Sequence, residues 1–72
     1  MKARELRVRA EIRRSIRSKR REFLFISRTL KRRVREAEAQ GEGNRAMVNY
    51  NDGLADGLRT SARFLREIEK SL

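Results

Sequence analysis

QGEGN, residues Gln40–Asn44, is the stretch on which the fold turns. Its two glycines flank one glutamate, and no proline or earlier glycine interrupts the chain before them. Gly41 is free to take the left-handed conformation that ends a helix, and Asn44 can cap the start of the next one. Upstream, the filling is Arg, Glu, Ala, Leu and Lys, all strong helix formers. Apolar Ile12, Ile16, Phe23, Ile26, Leu30, Val34 and Ala37 recur there at helical spacing. Taking Ile16, Phe23, Leu30 and Ala37 as heptad position a places Ile12 and Ile26 at d, with Lys19 and Arg33 as charged interruptions of the d column. Downstream, Met47, Tyr50, Leu54, Leu58, Leu65, Ile68 and Leu72 form a second stripe.

The pattern predicts an all-α fold, a two-helix antiparallel hairpin that pairs into a dimeric four-helix bundle or coiled coil. The whole chain, 1–72, reads as one α-hairpin domain: helix one over about 3–39, a loop at 40–44 and helix two over about 45–70. A second reading treats NYNDG as a turn and starts helix two near Leu54. With the longer helix two, Gly53 and Gly57 share a face with Ser61. There they offer close backbone approach, over which Phe23 or Phe25 can lie.

A chain of 72 residues sits near the size at which one hydrophobic core becomes marginal. Without Cys or His it has no disulfide, thiolate or imidazole with which to supplement that core. Self-association or docking on a partner is the expected supplement. No cofactor is expected. The same absences remove the usual nucleophiles and bases, and no Gly-rich phosphate loop is present, so a non-enzymatic role is expected. Asp52 and Asp56 lie one helical turn apart, a pair that holds a divalent ion weakly and more often is a solvated face. No apolar run is long enough to span a membrane. The N-terminus lacks the apolar stretch of a secretory signal, which leaves a cytoplasmic or virion-associated location as the expectation.

Charge is split along the chain. Residues 1–36 hold fifteen Lys/Arg against four Asp/Glu, and residues 37–72 hold five against six. The net +10 therefore belongs to the first half and points to an acidic partner, with nucleic acid the commonest. At about 100° per residue, Arg17, Arg21, Phe25, Arg28, Arg32 and Arg35 fall within about 60° of Arg14, opposite the apolar stripe. This arginine ladder contains part of the knot Phe23-Leu24-Phe25-Ile26. Phe23 and Ile26 are assigned to the core, whereas Leu24 flanks the ladder and Phe25 sits inside it.

Arg outnumbers Lys sixteen to four, as suits bidentate recognition of phosphate. Arg14, Arg17, Arg21, Arg28, Arg32 and Arg35 are the expected phosphate contacts, with Arg7 and Arg13 extending them along an N-terminal overhang. Leu24 and Phe25 are expected at a partner or dimer contact, and base stacking by Phe25 is the alternative. No helix-turn-helix, zinc-finger or RNA-recognition signature accompanies the ladder, so DNA and RNA stay equally open. The other class of function is an interaction or inhibitor protein that docks on an acidic surface of a host protein. A coiled-coil assembly element with incidental charge is a third.

Two stretches resemble known families. MKARELR (Met1–Arg7) resembles the start of a small RNA-bound hairpin protein of the bacterial large ribosomal subunit. That family's basic stretch in helix two has no counterpart in the neutral second half here, and no residue roles are carried over. YNDGLADGLRTSARFLREIE (Tyr50–Glu69) is similar to the ends of short helical proteins of phages and mobile elements. That resemblance implies an interaction module with no catalytic motif, in a host cytoplasm.

Overall fold

A computed structural model describes residues 2–41 and 44–72, so Glu42 and Gly43 of the predicted loop lie outside the described residues. Two helices account for the fold: α1, Ala3–Ala39, and α2, Arg45–Ser71. They pack antiparallel along one another in an all-α hairpin measuring 59 × 13 × 12 Å. The turn chemistry is local. Gln40 closes α1 by donating its N–H to Glu36 O at 3.1 Å, and Gly41, at φ +65°, donates its own to Glu38 O at 3.2 Å. Asn44 accepts the Ala46 N–H on its side-chain oxygen at 2.8 Å and the Val48 N–H on its carbonyl at 3.0 Å. α2 therefore runs unbroken through Gly53 and Gly57 from Arg45 onward.

The helices meet along columns spaced alternately three and four residues apart. On α1 these are Ile16, Arg20, Phe23, Ser27, Leu30, Val34 and Ala37; on α2 they are Val48, Asn51, Ala55, Leu58, Ala62, Leu65, Glu69 and Leu72. This is a heptad seam, but its best-buried members are small. Ala55 and Ala62 are 0% and 2% exposed, joined by Ser27 and Val34 on the facing helix. Among the described residues no large side chain is fully buried. The Ser27 hydroxyl donates to Ala55 O at 2.8 Å, a contact that requires the two backbones to lie close together.

Three sequence assignments change. Ile12 and Ile26, expected at position d, are exposed, and the second column of α1 is instead Arg20, Ser27 and Val34. On α2, Met47, Tyr50, Leu54 and Ile68 are likewise exposed. The reason is geometric: the apolar arc of each helix is wider than one partner can cover, and close approach selects its small-residue edge. Among the described residues, no side chain lies over Gly53 or Gly57. A Cβ at Gly53 or Gly57 would meet nothing within 4 Å, and Phe25 is 70% exposed.

The overlap of the helices begins near Arg13, whose guanidinium donates to the Leu72 carbonyl. Residues 3–12 of α1 extend beyond it, with Leu6 and Val8 exposed. None of the described helices is long and apolar enough to cross a membrane.

Candidate nucleic-acid interface

The helical phase that buries Ser27, Ala55 and Ala62 also sorts the charges. Along one side of the seam, three clefts run end to end. One is lined by Arg13, Arg17, Arg20 and Arg66 with Glu69 and Lys70. The next shares Arg20 and Arg66 and adds Leu24, Arg59 and Arg63. The third shares Leu24 and Arg59 and adds Arg28, Lys31 and Arg35. They form a single trough with arginines on both walls and Leu24 on its floor.

The acidic residues in reach of the trough are engaged near its ends. Glu69 bonds Arg17 and accepts from Arg20 at 3.0 Å. At the other end Lys31 bonds Asp52 and lies 3.0 Å from Asp56, so the carboxylate pair weighed as a weak ion site clamps a lysine. Arg28, Arg35, Arg59, Arg63 and Arg66 form no ion pair among the described residues. Their charge faces the solvent of the trough. The more exposed Lys31 pairs contribute little to stability, whereas the Glu69 carboxylate is 13% exposed in the seam; both sets fix where the free arginines stand.

The predicted ladder divides accordingly. Arg13, Arg17, Arg28 and Arg35 line the trough. Arg14, Arg21 and Arg32 lie further round α1, exposed, on a ridge turned away from α2, where Arg32 approaches Glu36 at 3.9 Å. Arg7 stands on the overhang, exposed. Leu24 is half-buried between the walls, and Phe25 points away from α2 beside the ridge. Arg20, Arg59, Arg63 and Arg66 escaped the sequence reading. Arg59, Arg63 and Arg66 recur at i, i+4 and i+7 on one helical face, but the net charge of the second half concealed that run.

Among the described residues, two groups carry shifted proton affinities. The bond from Arg17 holds the Glu69 carboxyl below its ordinary value of 4.5, with Arg20 and Arg13 adding Coulombic support. Hydrogen bonds to Asp52 and then Asp56 raise the Lys31 ammonium above its ordinary 10.5. The Glu69 contribution to stability is thus complete above the unfolded-state value and is lost as pH falls through the lower folded-state value. The Lys31 contribution is complete below 10.5 and is lost as pH rises through its raised value. Glu69→Gln is expected to lower the thermal midpoint at pH 7 and to flatten its fall as pH drops below 4.5, as followed by far-UV circular dichroism. An acid limb as steep as that of the wild type would show that the Arg17–Glu69 contact does not form in solution.

Comparison with protein-family models, curated proteins and solved structures returns no match.

Proposed function

We propose that the hairpin is a small non-enzymatic protein that binds nucleic acid through the trough, mainly by phosphate contacts. The observation that carries this reading is the two-walled arrangement. Arg13, Arg17, Arg20, Arg28 and Arg35 from α1 face Arg59, Arg63 and Arg66 from α2 across the seam. A single arginine-rich helix neutralises one run of phosphates; a two-walled trough can hold a backbone from both sides, with guanidinium forks donating to successive phosphate oxygens. The trough presents no pattern of side chains for base edges, so sequence-independent binding follows. Arg14, Arg21 and Arg32 on the ridge, and Arg7 on the overhang, add long-range attraction.

The test is a titration against mixed-sequence duplex DNA, single-stranded DNA and RNA at about 50 and 200 mM salt. If six or more phosphates are engaged, affinity falls by about 10³-fold or more across that range, and the preferred polymer names the ligand. Absence of binding at the lower salt would overturn the reading and reassign the trough to an acidic protein surface. That is the second reading, an interaction or inhibitor protein, for which the apolar floor at Leu24 provides a docking point.

A further inference from the structure

On the side of the hairpin opposite the trough, α2 presents an uncovered apolar column. With Ala55 at zero on α2, Arg59, Arg63 and Arg66 fall about 20–80° to one side, and Tyr50, Leu54, Gly57, Ser61 and Ile68 about 100–160° to the other. In an antiparallel pair, equal rotations on the two helices reach the same face, so Ile12 and Ile26 of α1 border this same surface, interspersed with the Lys19–Glu22 pair and Arg33. Tyr50, Leu54, Gly57, Ser61, Phe64 and Ile68 step by alternate fours and threes, a second heptad column beside the one that binds α1. It contains no charged residue. Tyr50 and Phe64 are each 66% exposed, Ile68 49% and Leu54 43%.

We infer that this column is the seat of a second copy of the chain, packed antiparallel about a two-fold axis that passes between Gly57 and Ser61. The arrangement of sizes argues for self-pairing. On that axis Gly57 meets Ser61 of the copy, Leu54 meets Phe64 and Tyr50 meets Ile68. Small residues oppose small at the centre and large apolar residues oppose large on each flank, the self-complementarity an isologous interface requires. Gly57 supports it independently. It weakens α2 relative to alanine, yet among the described residues nothing approaches within 4 Å of its Cβ position. A second backbone crossing there gives the glycine a role. The face from Tyr50 to Ile68 is about 27 Å long and about 20 Å wide, on the order of 500 Å² per copy, at the small end of specific interfaces. Seating the copy there makes a square four-helix bundle with α1 beside α1 and α2 beside α2. The two troughs then face outward on opposite sides. Resting on the nucleic-acid reading, this makes the dimer a bivalent binder that bridges two segments.

Sedimentation of the free protein tests the pairing without nucleic acid. The expected mass is about twice 8.5 kDa at tens of micromolar, and Tyr50→Glu/Phe64→Glu weakens association at least about tenfold. Cross-linking tests the geometry without disturbing the large side chains, and the chain has no thiol of its own. A mixture of Gly57→Cys and Ser61→Cys chains is expected to form a disulfide-linked pair in large excess over a Glu67→Cys control on the trough side. A monomer at tens of micromolar, or cross-linking no better than the control, overturns the proposal. The linked dimer is then offered two differently labelled duplexes. Joint capture supports the opposed troughs, and capture of one alone overturns that arrangement. Capture of neither defeats the nucleic-acid reading and leaves the dimer standing.

Discussion

Ala55→Leu is expected to destabilise the hairpin by about 1–3 kcal/mol or more, the cost of overpacking a site with no room. Ala55 is fully buried, and its own carbonyl accepts the Ser27 hydroxyl from the facing helix at 2.8 Å. A leucine side chain there occupies the space that holds the two backbones together. Relieving the clash separates the helices, and separation strips the buried Ser27 hydroxyl of its acceptor, adding the cost of an unpaired polar group. For a domain of this size each kcal/mol lowers the thermal midpoint by about 4–8 °C, so a shift of 10 °C or more is readily measured. Ala10→Leu is the control, because Ala10 is exposed on the overhang and the two residues have similar helix propensity. An unchanged midpoint for Ala55→Leu, measured by far-UV circular dichroism beside that control, would show that the helices are not closely apposed.

The legible part of the fold was the part encoded locally. Gly41 and Asn44 announce a helix end and a helix start by backbone chemistry that needs no tertiary context. The hairpin follows from two helices joined by so short a break. The seam was less legible. Reading apolar residues by size selects Ile26, Tyr50 and Leu54, whereas close packing selects Ser27, Ala55 and Ala62, which carry little hydrophobic signal. Arg20 and Glu69 sit in the seam columns because their stems pack while their heads pair with one another at 3.0 Å. Hydropathy does not anticipate such positions.

The arginine site divided in the same way. The phase of α1 sets an arginine arc against an apolar one, but a one-helix wheel has no means of telling which edge of either arc faces the partner helix, and Arg20 enters the seam while Ile12 and Ile26 stay outside it. Contact with α2 makes that distinction, placing Arg28 and Arg35 in the trough and leaving Arg14, Arg21 and Arg32 on the ridge. α2 was treated as neutral because its acids and bases nearly balance. Asp52, Asp56 and Glu69 are spent on Lys31, Arg17 and Arg20, Glu67 pairs with Lys70, and Arg59, Arg63 and Arg66 form no ion pair among the described residues. Net charge over a segment hides a sorted face; pairing geometry reveals it.

That sorting makes the strongest functional prediction a comparison of two charge-reversed proteins with identical net charge. One carries Arg59→Glu, Arg63→Glu and Arg66→Glu in the trough; the other carries Arg14→Glu, Arg21→Glu and Arg32→Glu on the ridge. Both lose the same number of positive charges and gain the same number of negative ones, so generic attraction to a polyanion falls equally. Glutamate is a good helix former, and circular dichroism checks that each hairpin persists. The trough variant is expected to lose on the order of 10²-fold or more in affinity at about 50 mM salt. Its salt dependence becomes shallower by two to three, about 0.9 for each duplex phosphate released. The ridge variant is expected to lose less than about tenfold and to keep its slope, because its arginines attract the polymer at a distance without docking on it. Equal losses would mean a diffuse electrostatic association with no defined site. A larger loss on the ridge would return the interface to the outer face of α1 around Phe25, where the exposed ring is placed to stack on an unpaired base.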